Sequence, residues 1–347
     1  MLKFNYKKHE LVFNFDARTS RGEIKKHNAY IIYVCDVLKN ITGYGEASPL
    51  EGLSIEYSES FEEKLKNIIN DLNNGISVDD IFLDDLPSLK FGIETALLDL
   101  KHGGKQIIFN NNFIHGEPIL INGLVWMADK DKMLQQAFNK INDGFDCIKI
   151  KVGSLDFDDE CRLLEKIRNQ FSSSKIILRL DANGAFDNDD ALLKLKELSR
   201  FEIHSIEQPI KPNNTELMNE ICAKSKIPVA LDEELIGVFG STQKQKLLLQ
   251  IIPQYIILKP TLVGGFKEAD EWIMLAEKHN IGWWATSALE SNIGLNAIAQ
   301  WVFGKYNKLH QGLGTGSLYT NNFNSPLQVR NGKLSYNNAV NWELFEP

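Results

Sequence analysis

Five charged residues recur along the C-terminal two-thirds of the chain: Lys151, Asp181, Glu207, Asp232 and Lys259, with Ser287 following. The intervals between them are each about one βα unit of roughly 30 residues. Each residue ends or closely follows a short apolar run, in "DCIKIKVG", "KIILRLDANG", "IHSIEQP", "IPVALDEE" and "QYIILKP". Three carboxylates brought together raise one another's pKa unless a cation neutralises them. Oxygen-only ligands, with no His or Cys among them, favour Mg²⁺ over zinc, and Mn²⁺ is the other hard ion that such a set accepts. A lysine held near a metal and a second cation gives up its proton more readily and can act as a base. The chemistry this set could perform is removal of a proton α to a carboxylate, with a metal stabilising the resulting enediolate.

That chemistry requires a fold that lines up strand ends. From about residue 117 apolar runs alternate strictly with amphipathic segments, giving eight strands and seven helices, the last strand at "LHQGLG". Repeated βα units imply a parallel sheet, and eight strands imply closure, so 116–314 is read as a (β/α)7β TIM-like barrel of the α/β class. A doubly wound open sheet is the runner-up, but no GxGxxG follows its first strand. In barrel enzymes the C-terminal strand ends carry the active site. Strand alternation turns Lys149, Lys151, Arg179, Asp181, Asn183 and Asp232 to the lumen, and Ile148, Ile150, Leu178 and Leu180 to the outer helices. Residues 1–115 read differently. "HNAYIIYVCDV" is a strand, while "YSESFEEKLKNIINDLNNG" and "SLKFGIETALLDLKHGG" have helical periodicity, which makes an α+β capping domain. The tail, 315–347, forms no further βα unit and is expected to return to the cap.

The bulk composition narrows the partners. The chain has 347 residues and a net charge of −8, without a long basic run, which speaks against nucleic acid. A locally positive site for a small anionic carboxylate is still allowed. The four cysteines form no CxxC pattern, there is no signal-peptide core at the start, and no apolar run reaches the roughly 20 residues of a membrane span. These features predict a soluble, cytoplasmic protein, and leave room for a homo-oligomer. The seven histidines show no HxH or HExxH spacing.

"KIK", "LRLDAN", "SIEQP", "ALDE" and "ILKP…GG" resemble the enolase superfamily, muconate-lactonising-enzyme subgroup, over essentially the whole chain. The resemblance implies that Asp181, Glu207 and Asp232 ligate Mg²⁺. It makes Lys151 the base that takes the α-proton and returns a proton to the departing hydroxyl. Lys259 would stabilise the enediolate from across the ring, and Lys149 would help to hold the substrate carboxylate. "SALES" and the "GLGTG" loop, with Ser287 and Gly312, would form the pocket for a succinyl side chain. A cap loop near Arg21 and "GEASPLEG" would close over the substrate. The activity implied is loss of water from a cyclohexadiene carboxylate. Racemisation of N-succinylamino acids and epimerisation of dipeptides are the alternatives on the same scaffold; "GLGTGSLY" lacks the acidic pair that dipeptide epimerases often carry there.

Plainer readings exist for single residues. Two alternating lysines usually mark a solvent face, and an Asp at a strand end is commonly a helix N-cap. Arg179 is a candidate substrate contact that could instead pair with a neighbouring acid, and Ser287 and Asn183 are balanced between packing and substrate contact. Glu233 is placed beside the ligand set as support. A non-catalytic metal- or ligand-binding barrel would not need both lysine partners.

Overall fold

The computed structural model describes residues 2–19 and 22–343. β1 (Leu2–Thr19), β2 (Gly22–Asp36) and β3 (Ile41–Ala47) form an antiparallel sheet in that order, backed by α1 (Phe61–Asn73) and α2 (Pro87–Lys101). Phe4, Tyr30, Ile32 and Val34 of the sheet bury against Phe61, Leu65, Leu89 and Ile93 of the helices. The two glycines of "GYGEA" explain how closely α2 seats. A Cβ at Gly43 would stand 2.2 Å from Ala96 O, and one at Gly45 2.0 Å from Gly92 O. Any side chain at either position would push the helix off the sheet.

The second region begins with β4 (Ile119–Leu120) and β5 (Gly123–Val125). It then alternates: α3 (Lys130–Asn142), β6 (Cys147–Lys151), α4 (Phe157–Gln170), β7 (Ile177–Asp181), α5 (Ala191–Leu198), β8 (Ser205–Glu207) and α6 (Thr215–Lys224). The series continues with β9 (Val229–Leu231), α7 (Ser241–Ile251), β10 (Tyr255–Leu258), a one-turn α8 (Pro260–Val263), α9 (Phe266–Lys278), β11 (Gly282–Ala285) and α10 (Asn292–Phe303). Several helices start at the side chains the sequence provides for it: Asp129 accepts the Lys132 N–H, Asp156 that of Asp158, and Ser291 that of Ile293.

β5 to β11 form one parallel sheet in chain order. Ile148, Ile150, Leu178 and Leu180 pack outward in the layer shared with the helices, as alternation predicts. Ala230, Ile257 and Trp284 pack together as a separate cluster, with Tyr255 and Leu309 against it. Closure departs from expectation, because the eighth strand shrinks to two residues. Gln311 bridges Ile121 and Gly312 bridges Thr286, through Gln311 N–H to Leu120 O (2.8 Å), Asn122 N–H to Gln311 O (3.0 Å) and Gly312 N–H to Ala285 O (2.8 Å). A Cβ at Gly312 would lie 2.3 Å from Thr286 Cγ2, so the closing contact requires glycine.

The first expected strand also divides. β5 joins the barrel, whereas β4 pairs antiparallel with the tail hairpin of β12 (Leu327–Arg330) and β13 (Lys333–Tyr336). The segment before that hairpin returns to the cap, and Trp342 after it packs against the cluster that the cap shares with the barrel. Asn14 N–H bonds Leu318 O at 2.9 Å, and Phe13 bridges Tyr319. Cap and barrel share an apolar seam of Leu11, Phe13, Ile31 and Tyr44 with Trp126, Leu289, Ile293 and Tyr319. Among the described residues no helix is long and apolar enough to cross a membrane, and the four cysteines are free thiols.

Candidate active site

Strand register places the site. Lys151 on β6 pairs with Asp181 on β7, and Asp181 pairs with Glu207 on β8. Asp232 follows β9 and Lys259 follows β10, so the charged residues occupy one rim. Lys259 is partly buried and the others are buried, Lys149 and Lys151 being 8% and 7% exposed. They stand at the wall of a cavity of about 920 Å³. Lys149, Lys151, Asp181, Asn183 and Lys259 line its barrel side, Phe15, Ile24, Leu50 and Leu53 its cap side, and Ser287 and Gly312 a third edge. "GEASPLEG" therefore reaches the cavity through Leu50, Glu51 and Gly52; Arg21 lies outside the described residues.

Lys149 Nζ bridges Asp181 Oδ2 (2.9 Å) and Glu207 Oε2 (2.5 Å). Lys151 Nζ donates to Asp181 Oδ2 (2.9 Å) and to Asn183 Oδ1 (2.6 Å). Asn183 donates through Nδ2 to Glu233 Oε1 (3.1 Å), so both ends of its amide are engaged. Lys259 Nζ rests on Asp232 and lies 4.0 Å from Glu207 Oε1. Gln208 organises the next turn: its Oε1 accepts the Asp232 and Glu234 N–H groups at 3.2 Å each.

Burial works against the Lys149 ammonium, but Asp181 and Glu207 outweigh it and hold the pKa well above the usual lysine value. Lys259 is raised in the same way, burial being overcome by Asp232 and then Glu207. Each of these two sits on carboxylates, which favour its ammonium form. For Asp181 burial opposes ionisation, and Lys149, Lys151 and Lys259 more than offset it, so its pKa is depressed. Glu207 moves upward, through burial and the Asp181 charge.

The three carboxylates suit a hard cation in chemistry and order. They are oxygen donors on consecutive strands, and Glu207 Oε1 is buried without a hydrogen-bond partner among the described residues. They do not converge on one point as they stand. Among the described residues no three acidic, histidine or cysteine side chains are grouped for an ion, since lysine ammonium groups lie between the acids.

Arg179 does not reach the cavity. Its Nη1 donates to His310 O at 2.8 Å and its guanidinium stacks 3.9 Å from the Trp284 ring centroid, sealed at 2% exposure. Substrate contact does not fit it. Ser287 lines the cavity, but its hydroxyl proton goes to Glu290 Oε2 at 2.5 Å. Glu290 and Glu46, both fully buried, are site-supporting residues the sequence reading did not name. Their signal was a glutamate among small residues in the quoted "SALES" and "GEAS".

Residues 132–340 match the family described as Enolase C-terminal domain-like. The chain belongs to this family, the enolase superfamily, and is an enzyme. An o-succinylbenzoate synthase from Desulfotalea psychrophila is 40% identical, over 96% of this chain and 98% of the relative. The crystal structure of MenC from the same organism superposes with a TM-score of 0.84 at 38% identity, covering 96% of this chain and 99% of that one. The L-Ala-D/L-Glu epimerase of Bacillus subtilis has a TM-score of 0.83 at 20% identity, covering 98% and 96% of the two chains, and shares the fold. An N-succinyl-L-Arg/Lys racemase from Bacillus cereus is 24% identical over 79% of this chain and 76% of its own.

Proposed function

We propose that the protein removes water from 2-succinyl-6-hydroxy-2,4-cyclohexadiene-1-carboxylate to give o-succinylbenzoate, a step of menaquinone biosynthesis. The observation that carries this reading is the set of three lysines at one cavity, in a chain 40% identical to an o-succinylbenzoate synthase over nearly its full length. The cations suit a substrate with two carboxylates.

Lys151 takes the proton from the ring carbon that bears the carboxylate. The electron pair flows into that carboxylate, where the Lys149 and Lys259 ammonium groups meet the developing charge. The pair then returns to form the ring double bond as the neighbouring C–O bond breaks. Lys151 hands its proton to the departing hydroxyl, which leaves as water from the same face. Asn183 and Asp181 hold the Lys151 amine in place. Asp181, Glu207 and Asp232 would hold a divalent cation, Mg²⁺ first and Mn²⁺ second. Bound there it supplies positive charge beside the substrate carboxylate. The cap residues exclude water from the cavity.

The test is a panel assay. With Mg²⁺, purified protein should convert the cyclohexadiene dicarboxylate and leave dipeptides unchanged. If that substrate persists while α-deuterium exchanges into N-succinylamino acids, the enzyme is a racemase on this scaffold.

A further inference from the structure

Glu46 and Glu290 lie behind the cavity wall rather than in it, and together they organise two of its edges. Glu290 sits in the turn between β11 and α10, fully buried. Its Oε2 accepts the Ser287 hydroxyl (2.5 Å) and the Ala288 N–H (2.9 Å), and its Oε1 accepts the Thr261 hydroxyl. Thr261 stands two residues after Lys259 and is itself fully buried. One carboxylate thus ties the end of β10, which carries Lys259, to the end of β11, which carries Ser287.

The turn that presents Glu290 is fixed in its turn by the cap. Glu46 of β3 accepts the Ser291 N–H (2.8 Å), the Ser291 hydroxyl (2.5 Å) and the Gly294 N–H (2.9 Å), which places a carboxylate at the start of α10 across the domain boundary. Gly294 is the contact between the two acids. A Cβ there would stand 2.7 Å from Glu290 Cβ and 3.1 Å from Glu46 Oε2.

We propose that Glu290 is a positioning residue for the reaction, holding Lys259 and Ser287 in register from behind the wall, with Glu46 of the cap fixing the turn from which it acts. The inference deepens the function proposed above and rests on it. It also assigns the chemistry of the Ser287 edge. With its proton given to Glu290 and one lone pair taken by the Leu289 N–H (3.0 Å), Ser287 Oγ offers a ligand only an acceptor. That edge receives a donor group such as a ring hydroxyl, and the carboxylates of the substrate belong beside the lysines.

The experiment compares Glu290→Gln, Thr261→Val, their double variant and Glu46→Gln as Mg²⁺-loaded full-length enzymes, reading kcat, KM and thermal melting. Misplacing Lys259 acts on charge that develops during the reaction. Glu290→Gln should therefore lower kcat about 10- to 100-fold with KM within about 3-fold. Thr261→Val should lower kcat several-fold with melting retained, and the double variant should cost no more than Glu290→Gln alone. Glu46→Gln should shift kcat in the same direction by less. A rise in KM at constant kcat, additive single effects, or kcat losses that merely track the unfolded fraction would overturn the proposal. Should Glu290→Gln fail to fold, an unchanged kcat in Thr261→Val overturns it alone. If the wild type leaves the dicarboxylate untouched, the functional reading fails separately, and the same variants are compared by α-deuterium exchange on N-succinylamino acids.

Discussion

Lys149 and Arg179 start as register partners on adjacent strands of one barrel, and their cations end in different worlds. Lys149 reaches Asp181 and Glu207 at the wall of the cavity. Arg179 turns to the carbonyl of His310 and the face of Trp284, near His204, and lines no part of the cavity. At the rim, charge meets charge beside a space for ligand. On the floor, charge meets a carbonyl and an aromatic face, and the space is filled. A lumen-facing cation is therefore not evidence of chemistry by itself; what decides is whether the neighbouring strands end in carboxylates at the same level.

The comparison can be broken at the rim first. Lys151→Ala should remove the proposed base and lower kcat by about 10³-fold or more, with circular dichroism and melting near wild type. Asp232→Asn leaves Lys259 without its carboxylate and should cost about 10²- to 10³-fold in kcat/KM, with chelator abolishing wild-type turnover and added Mg²⁺ restoring it. Full activity in either variant would detach the rim from the reaction.

The floor predicts the converse. Arg179→Met should leave kcat/KM per folded molecule within about 3-fold while stability falls by about 1–3 kcal/mol, since the buried His310 carbonyl loses its donor. A large kinetic loss at unchanged melting temperature would move Arg179 into the catalytic layer. The smallest effect concerns His204, which stacks on Tyr255 and has its pKa lowered to about 4 by burial, with Arg179 and His310 adding to it. The folded state resists protonation there, so its contribution is present above about pH 6.5 and is lost as pH falls from there toward 4. Denaturant titrations should show a shallower decline over that window in His204→Phe than in wild type; identical slopes would remove His204 from the balance.

The rim was legible because β strands report it twice, once as a residue type at each strand end and once as a repeat length. Alternation correctly sent Lys149, Lys151 and Asp181 inward and Ile148 and Leu180 outward, since a two-residue period fixes the face. It does not fix where a long side chain goes along the lumen, which is why Arg179 was open to substrate contact. The cap was less legible. β1 carries Lys3, Lys7, Lys8 and Glu10 among its apolar residues, and only its pairing with β2, distant in sequence at Leu2↔Asp36, makes it a strand. The closing strand is two residues, too short for any periodicity, and β4 owes its place to tail residues Lys333 and Leu334. Glu290 and Glu46 escaped notice because a buried carboxylate satisfied by hydroxyls and turn N–H groups has no repeat to announce it.

The most direct measurement follows o-succinylbenzoate formation from the cyclohexadiene dicarboxylate in the presence of Mg²⁺, with wild type and Lys151→Ala side by side. The account predicts steady product from the wild type and none above background from the variant at equal folded concentration. A wild type that leaves the substrate intact, or a variant that matches it, would contradict the account.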